Sequence, residues 1–288
     1  MRTMRDVRLI ALDLDGTLLT DDKALTPRSR AALEAASDAG IEIVPATGRF
    51  YRGIPEPVRS LPFVRHAITI NGAQVLDVRT GATIYSAEIP MEEALSFFGH
   101  LDELPVIYDC YIDGWGYMTA SMQARAADYV DDAHAVEMIR TLRTPVPELK
   151  AHVRATGRSL QKMQLFTRDA ASRDALMREL AEMWPQFAIS SALSNNVEIN
   201  ACGADKGRAL LELASALGID RERTMAFGDG LNDLPMIRAA GVGVAMANGH
   251  PDVRAAADRI AEDNGSEGVA KVIEELLRGG RSEGHADP

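Results

Sequence analysis

Short apolar runs alternate with longer stretches of helical period along both ends of the chain. Leu9-Ile10-Ala11-Leu12 is continuously apolar, which predicts a strand buried on both faces of a parallel sheet. Thr26-Pro27 then supplies an N-cap and a first-turn proline for a helix to about residue 39, where Gly40 stops it. Residues 41–44 form the next predicted strand, and residues 67–70 a third that ends at Asn71-Gly72. The C-terminal third repeats the alternation. Residues 206–217 place Leu210, Leu213 and Leu217 on one helical face, with Gly218 as the stop. A strand at 225–227, a helix near 233–239, a strand at 242–245 and a helix at about 268–277 follow.

The middle of the chain has a different rhythm. A helix is expected at 92–101, then strands at 106–112 and 115–119 joined by Asp113-Gly114, a strong hairpin signal. A strand at 160–166, a helix near 170–183 and a strand at 187–191 complete it, while the polar stretch 141–159 predicts no clear element. Tyr111, Trp115 and Tyr117 fall on the hairpin with a parity that could turn one face toward the crevice, and sheet core is the preferred reading. Hairpins imply antiparallel pairing, whereas the flanks look like right-handed βαβ units. The expected fold class is therefore α/β. A doubly wound, mainly parallel Rossmann-like core (residues 1–82 and 196–288) is interrupted by an α+β insert at residues 83–195.

The 288 residues suit two domains. With 46% hydrophobic and 25% charged residues, bulk disorder is excluded. Acidic residues number 42 against 31 basic ones, a net charge of −11, so nucleic acid and anionic membrane are poor partners. A small phosphate remains possible where a local cation holds it. No apolar run approaches the ~20 residues of a membrane span, and the opening residues carry no long apolar stretch. Cys110 and Cys202 are too few for a disulfide framework and are read as small buried residues. A cytoplasmic location is expected, as monomer or small homo-oligomer, with a disordered tail from Gly279.

In an open α/β sheet the loops after the carboxyl ends of the strands carry the site. Here they read Asp13-Leu14-Asp15-Gly16-Thr17, Thr47-Gly48-Arg49 and Gly228-Asp229-Gly230-Leu231-Asn232-Asp233, and a further helix begins at Lys206. Asp13, Asp15, Asp229 and Asp233 would bring four carboxylates into one crevice, where they repel unless a cation intervenes. All-oxygen ligation points to Mg²⁺. Four carboxylates with Mg²⁺ and Lys206 leave roughly one negative charge, which Arg49 could cancel, so that a phosphate could enter. One Asp could then attack phosphorus while its neighbour moves protons, with Thr47 on a phosphoryl oxygen. Other readings of single residues stay open. Arg49 caps a helix, pairs with an acid or meets substrate. Asn71 is a turn residue or a substrate contact, and Asp205 is an N-cap or a site residue.

These residues resemble the haloacid-dehalogenase superfamily. Its DxDGT motif stands as Asp13–Thr17, its second as Thr47, its third as Lys206 in Asp-Lys-Gly and its fourth, GDxxND, as Gly228–Asp233, in family order. Ala-Thr-Gly-Arg, Asn71-Gly72-Ala73 and an insert between the second and third motifs resemble the Cof-type phosphatases. The resemblance implies a Mg²⁺-dependent phosphatase of small phosphomonoesters, sugar phosphates or related metabolites, acting through an aspartyl-phosphate. Asp13 would be nucleophile and metal ligand. Asp15 would be general acid/base, with its carbonyl on the metal; Asp229 would be a ligand and Asp233 its support. Thr47 and Lys206 would hold the phosphoryl group, with Gly48 and Asn232 against it, and the insert would be a cap that selects substrate. A phosphomutase using the same intermediate and a non-catalytic phospho-acceptor are the alternatives.

Overall fold

The computed structural model describes residues 6–191 and 195–281, in two compact units: Met1–Tyr85 with Asp205–Pro288, and Ser86–Ala204. Strands in chain order are β1 (Leu9–Leu12), β2 (Glu42–Pro45), β3 (His66–Thr69), β4 (Gln74–Asp77) and β5 (Thr83–Ser86). The inserted unit holds β6 (Ile107–Ile112), β7 (Trp115–Thr119), β8 (Arg143–Val146), β9 (Lys162–Phe166), β10 (Phe187–Ser190) and β11 (Asn196–Ala201). The chain then returns with β12 (Thr224–Gly228), β13 (Val242–Met246) and β14 (Arg259–Ala261).

The first unit is a parallel sheet in the order β14-β13-β12-β1-β2. Strand period explains why β1 is apolar throughout. Ile10 and Leu12 enter one core with helices Pro27–Asp38 and Gly268–Arg281. Leu9 and Ala11 enter the other, with helices Lys206–Ala216 and Leu234–Ala239. Thr26 caps its helix by accepting the Ser29 N–H at 3.1 Å. The fold class is the α/β arrangement that the strand–helix alternation implies. The third predicted strand, however, pairs antiparallel with β4 and meets the parallel sheet through the bridge Ala46–Ile68.

The inserted unit is a six-stranded sheet, β10-β11-β9-β6-β7-β8, with helices Met91–Leu101, Leu149–Thr156 and Ala170–Met183 packed on one face. The sequence reading ends this insert at 195; the structure carries it on because β11 is hydrogen-bonded between β9 and β10. It also finds elements in the stretch 141–159. β8 is an edge strand that tolerates Pro145, and the helix Leu149–Thr156 is capped by Glu148, which accepts the Lys150 N–H at 3.0 Å, and stopped by Gly157 at φ +63°. Hairpin register puts Tyr111 and Tyr117 on opposite faces of the sheet: Tyr117 lies opposite Cys110 and packs with the helical core, whereas Tyr111 is buried opposite Gly116 with Arg143 and Lys162 over its ring. Cys110 is buried, but Cys202 is exposed in the turn after β11. The last helix runs through Gly279 to Arg281, so of the expected tail only residues 282–288 lie outside the described residues.

Glu42 is buried at the start of β2, with His66 Nδ1 at 2.8 Å and Arg65 on its other oxygen. Burial alone would raise its carboxyl, but the bonds from His66 and Arg65 outweigh burial and hold it below 4.5. A folded value below the unfolded one gives stability that is complete above 4.5 and is lost as pH falls through the folded value. Glu42→Gln should therefore flatten the acid limb of stability measured by urea unfolding from neutral pH downward; an unchanged slope contradicts this pairing.

Candidate active site

Parallel register brings the site together. Leu12 lies beside Phe227 on one side and Pro45 on the other, so Asp13, Gly228-Asp229 and Ala46-Thr47 leave the sheet at one edge. Lys206 opens the helix Lys206–Ala216, whose N-cap Asp205 accepts the Arg208 N–H at 2.8 Å. The N-cap reading of Asp205 is the one the geometry supports.

Lys206 is fully buried, and its ammonium donates to Asp13 Oδ1 and to Asp233 Oδ1, each at 2.6 Å. Burial would lower this lysine, but the two carboxylates overcome it and raise it. Asp13 is pushed up to about 8, first by burial and then by Asp233, with Lys206 opposing. Burial also raises Asp229 against the hydrogen bond it accepts from Thr17 Oγ1 at 2.7 Å. The Asp233 Oδ2 accepts the N–H groups of Asp229 and Gly230 at 3.0 and 2.9 Å, bracing the loop after β12.

Oxygens of Asp13, Asp229 and Asp233 lie within 4.8 Å of one another. Three carboxylates against one ammonium leave two negative charges, and burial with mutual repulsion raises two of the three acids. A donor set of carboxylate oxygens with that residual charge fits a hard divalent cation. The Asp15 carboxylate is not in this group. It turns to Arg49, which donates from Nε and Nη2 at 2.9 and 3.0 Å, and to the Lys23 ammonium at 2.9 Å. Burial alone would raise Asp15, but these cations outweigh it and hold its carboxyl below the usual range. Arg49 is thus engaged with an acid, one of the three roles open to it, and the charge it was expected to cancel among four carboxylates is cancelled at Asp15.

Thr47 is buried, and its Oγ1 accepts the Arg49 N–H at 3.2 Å. Asn71 is held in the left-handed region at φ +56° directly after Ile70 at φ +54°, and its Oδ1 accepts from Asn232 Nδ2 at 3.2 Å. Gly48 passes beneath it: a Cβ there would stand 2.7 Å from Asn71 Oδ1. Three contributors escaped the sequence reading as site residues. Thr17 on Asp229 lies inside a quoted motif, and Asn248, donating to the Gly16 carbonyl at 2.8 Å, follows β13 at the same sheet edge and could have been found by that rule. Lys23 carries no such signal, since it is a single cation in a polar loop.

A model of haloacid dehalogenase-like hydrolases matches residues 10–273. The chain belongs to the haloacid dehalogenase-like hydrolase family. It is 31% identical over 257 residues to the pyridoxal phosphate phosphatase YbhA of Escherichia coli, covering 84% of this chain and 88% of that one. It is 30% identical over 243 residues to the 5-amino-6-(5-phospho-D-ribitylamino)uracil phosphatase YcsE of Bacillus subtilis, covering 84% and 85%. A haloacid dehalogenase-like hydrolase from Bacteroides thetaiotaomicron superposes with a TM-score of 0.79 at 26% identity, over 94% of this chain and 99% of that one. Within the family, its phosphatase relatives set the class of this enzyme as a hydrolase of phosphomonoesters.

Gly16 sits at φ +81°, and a Cβ there would lie 2.5 Å from Asp229 Oδ2. Gly16→Ala combines left-handed strain, of order 1 kcal/mol, with a clash against a carboxylate of the cation group. The expected outcome is a folded chain with phosphatase activity down at least tenfold, checked by circular dichroism and steady-state rates; native activity would show that the loop gives way freely.

Proposed function

We propose that this chain is a Mg²⁺-dependent phosphatase that hydrolyses small phosphomonoesters, sugar phosphates or related metabolites, through an aspartyl-phosphate on Asp13. The observation that carries the reading is the buried Asp13 carboxylate, turned by Lys206 and set beside Asp229 and Asp233 at the carboxyl edge of a parallel sheet. In this reading Asp13, Asp229 and Asp233 would hold the metal. Bound there, Mg²⁺ would neutralise charge on the phosphoryl group, a contribution of several kcal/mol.

The chain's own residues do the rest. Lys206 fixes one Asp13 oxygen, leaving the other to attack phosphorus. As the Asp13–phosphorus bond forms, the ester bond breaks with its electron pair on the leaving oxygen, which Asp15 protonates. Water then attacks phosphorus, gives a proton to Asp15 and releases Asp13 as carboxylate. Thr47, Gly48 and Asn232 would line the phosphoryl group, with Asn71 beside them and Lys206 compensating its charge. Arg49, paired with Asp15 through Nε and Nη2, would approach the phosphoryl group with its remaining N–H groups.

Two relatives named for phosphate esters of small metabolites support the substrate class. The net charge of −11 disfavours nucleic acid as substrate or partner. Among the described residues no helix is long and apolar enough to cross a membrane. Two unpaired thiols, Cys110 and Cys202, suit a reducing cytoplasm. The inserted unit, in the same reading, selects the substrate.

Phosphate release from p-nitrophenyl phosphate, with Mg²⁺ or EDTA, tests this for the native chain and for Asp13→Asn. Loss of turnover by at least 10³-fold in the variant, and loss with EDTA that Mg²⁺ restores, are expected. Activity that survives Asp13→Asn overturns the assignment. A parallel assay for isomer formation without free phosphate would turn the reading to a mutase.

A further inference from the structure

Three consecutive residues in the turn after β3 lie in the left-handed region: Ile70 at φ +54°, Asn71 at +56° and Gly72 at +92°. A β-branched residue there is a conformational outlier, and such backbone persists where its surroundings enforce it. Three segments of the site do so. The Ile70 N–H donates to the Arg49 carbonyl at 2.9 Å, and the Asn71 N–H to the Thr47 carbonyl at 3.1 Å. Gly72 packs on the start of the helix Lys206–Ala216, where a Cβ would stand 2.8 Å from the Lys206 backbone nitrogen. Asn232 makes the third contact, its Nδ2 donating to Asn71 Oδ1 at 3.2 Å.

That last bond fixes which way round the Asn232 amide lies. Asn71 Oδ1 only accepts, so it takes the amino end of Asn232. The carbonyl end folds back over Gly230, where a Cβ would stand 2.6 Å from Asn232 Oδ1. An amide nitrogen carries two hydrogens; Asn71 holds one, and the other is left for a further acceptor. Reversed, the same amide would offer an oxygen lone pair, which repels an anion. Gly48 lies against the same Asn71 oxygen, since a Cβ there would stand 2.7 Å from it. Gly48 and Asn232, the two residues placed against the phosphoryl group, therefore meet at one side chain. We propose that Asn71 is a positioning residue: held by the left-handed turn, its carbonyl oxygen keeps the Asn232 amino group turned toward the phosphoryl group. The proposal rests on the phosphatase reading above, in which Gly48 and Asn232 line that group. Substrate and free phosphate share the phosphoryl oxygens, so the effect of Asn71 reaches both.

The test is a double-mutant cycle over the native chain, Asn71→Gly, Asn232→Ala and the pair. It reads kcat/KM for p-nitrophenyl phosphate and the Ki of inorganic phosphate as competitive inhibitor. Glycine adopts φ +56° without strain, so Asn71→Gly removes the side chain and keeps the turn. Asn71→Gly should lower kcat/KM and raise Ki, each about three- to tenfold, the scale of one hydrogen bond. Asn232→Ala should cost at least as much, and adding Asn71→Gly to it should change either quantity by less than about twofold, because the two act as one unit. Should Asn71→Gly fail to fold, Asn71→Ser, too short to reach the amide, carries the same expectations. Losses that multiply in the pair, or a native Ki in the Asn71 variant, overturn the role of Asn71 while leaving the phosphatase reading standing. If the native chain shows no Asp13-dependent release from p-nitrophenyl phosphate, that reading fails first and takes this role with it.

Discussion

The ammonium of Lys206, closed off from water between Asp13 and Asp233, is the interaction on which the first unit depends. A buried cation is tolerated only with hydrogen-bonded partners of opposite sign, and a cation at the first residue of a helix also opposes the helix dipole. Two carboxylates from loops after different strands offset both costs. Their neighbours are correspondingly constrained. Gly207 lies so close to Pro235 that a Cβ would stand 2.4 Å from its carbonyl oxygen, and Gly72, at φ +92°, would place one 2.2 Å from the carbonyl oxygen of Asp205. Any larger side chain at either position would push the lysine away from its acids.

Asp13 and Asp15 stand two residues apart at the end of one strand, yet their surroundings drive them in opposite directions. Asp13 is raised by burial among acids, and Asp15 is lowered by Arg49 and Lys23. Separation of neighbouring carboxyl groups in this way is how one site holds two chemical roles. The lowered state of Asp15 belongs to the orientation seen here, in which it faces two cations.

Most of the parallel core was legible because its strands are short apolar runs, such as Leu9–Leu12, that bury both faces and leave little choice of conformation. Asp13, Thr47, Lys206, Asp229 and Asp233 were legible because each sits at a strand or helix end. Side-chain direction was not legible. Nothing in the spacing of Asp15 and Arg49 shows that they face each other rather than the crevice, and Lys23 reaches Asp15 only because a left-handed turn aims it. In the insert, Glu148 in place of a more usual cap residue, and Pro145 on an edge strand, hid a helix and a strand that depend on tertiary context. β11 was assigned outside the insert because antiparallel pairing with β9 leaves no mark in its own sequence.

The ion pair that organises the first unit joins residues 193 positions apart. On a ribosome adding about 5–20 residues per second, Asp13 therefore waits roughly 10–40 s for Lys206 to be made. Throughout that interval β1 lacks β12, its partner on one side, and the Asp13 carboxylate has no cation to be buried against. The nascent N-terminal segment is thus an incomplete sheet with an open apolar edge, the kind of surface that chaperones shield. Interrupting a parallel core with a long insert gives the finished chain a second unit, and it makes the chain's vulnerability during synthesis a property of its topology.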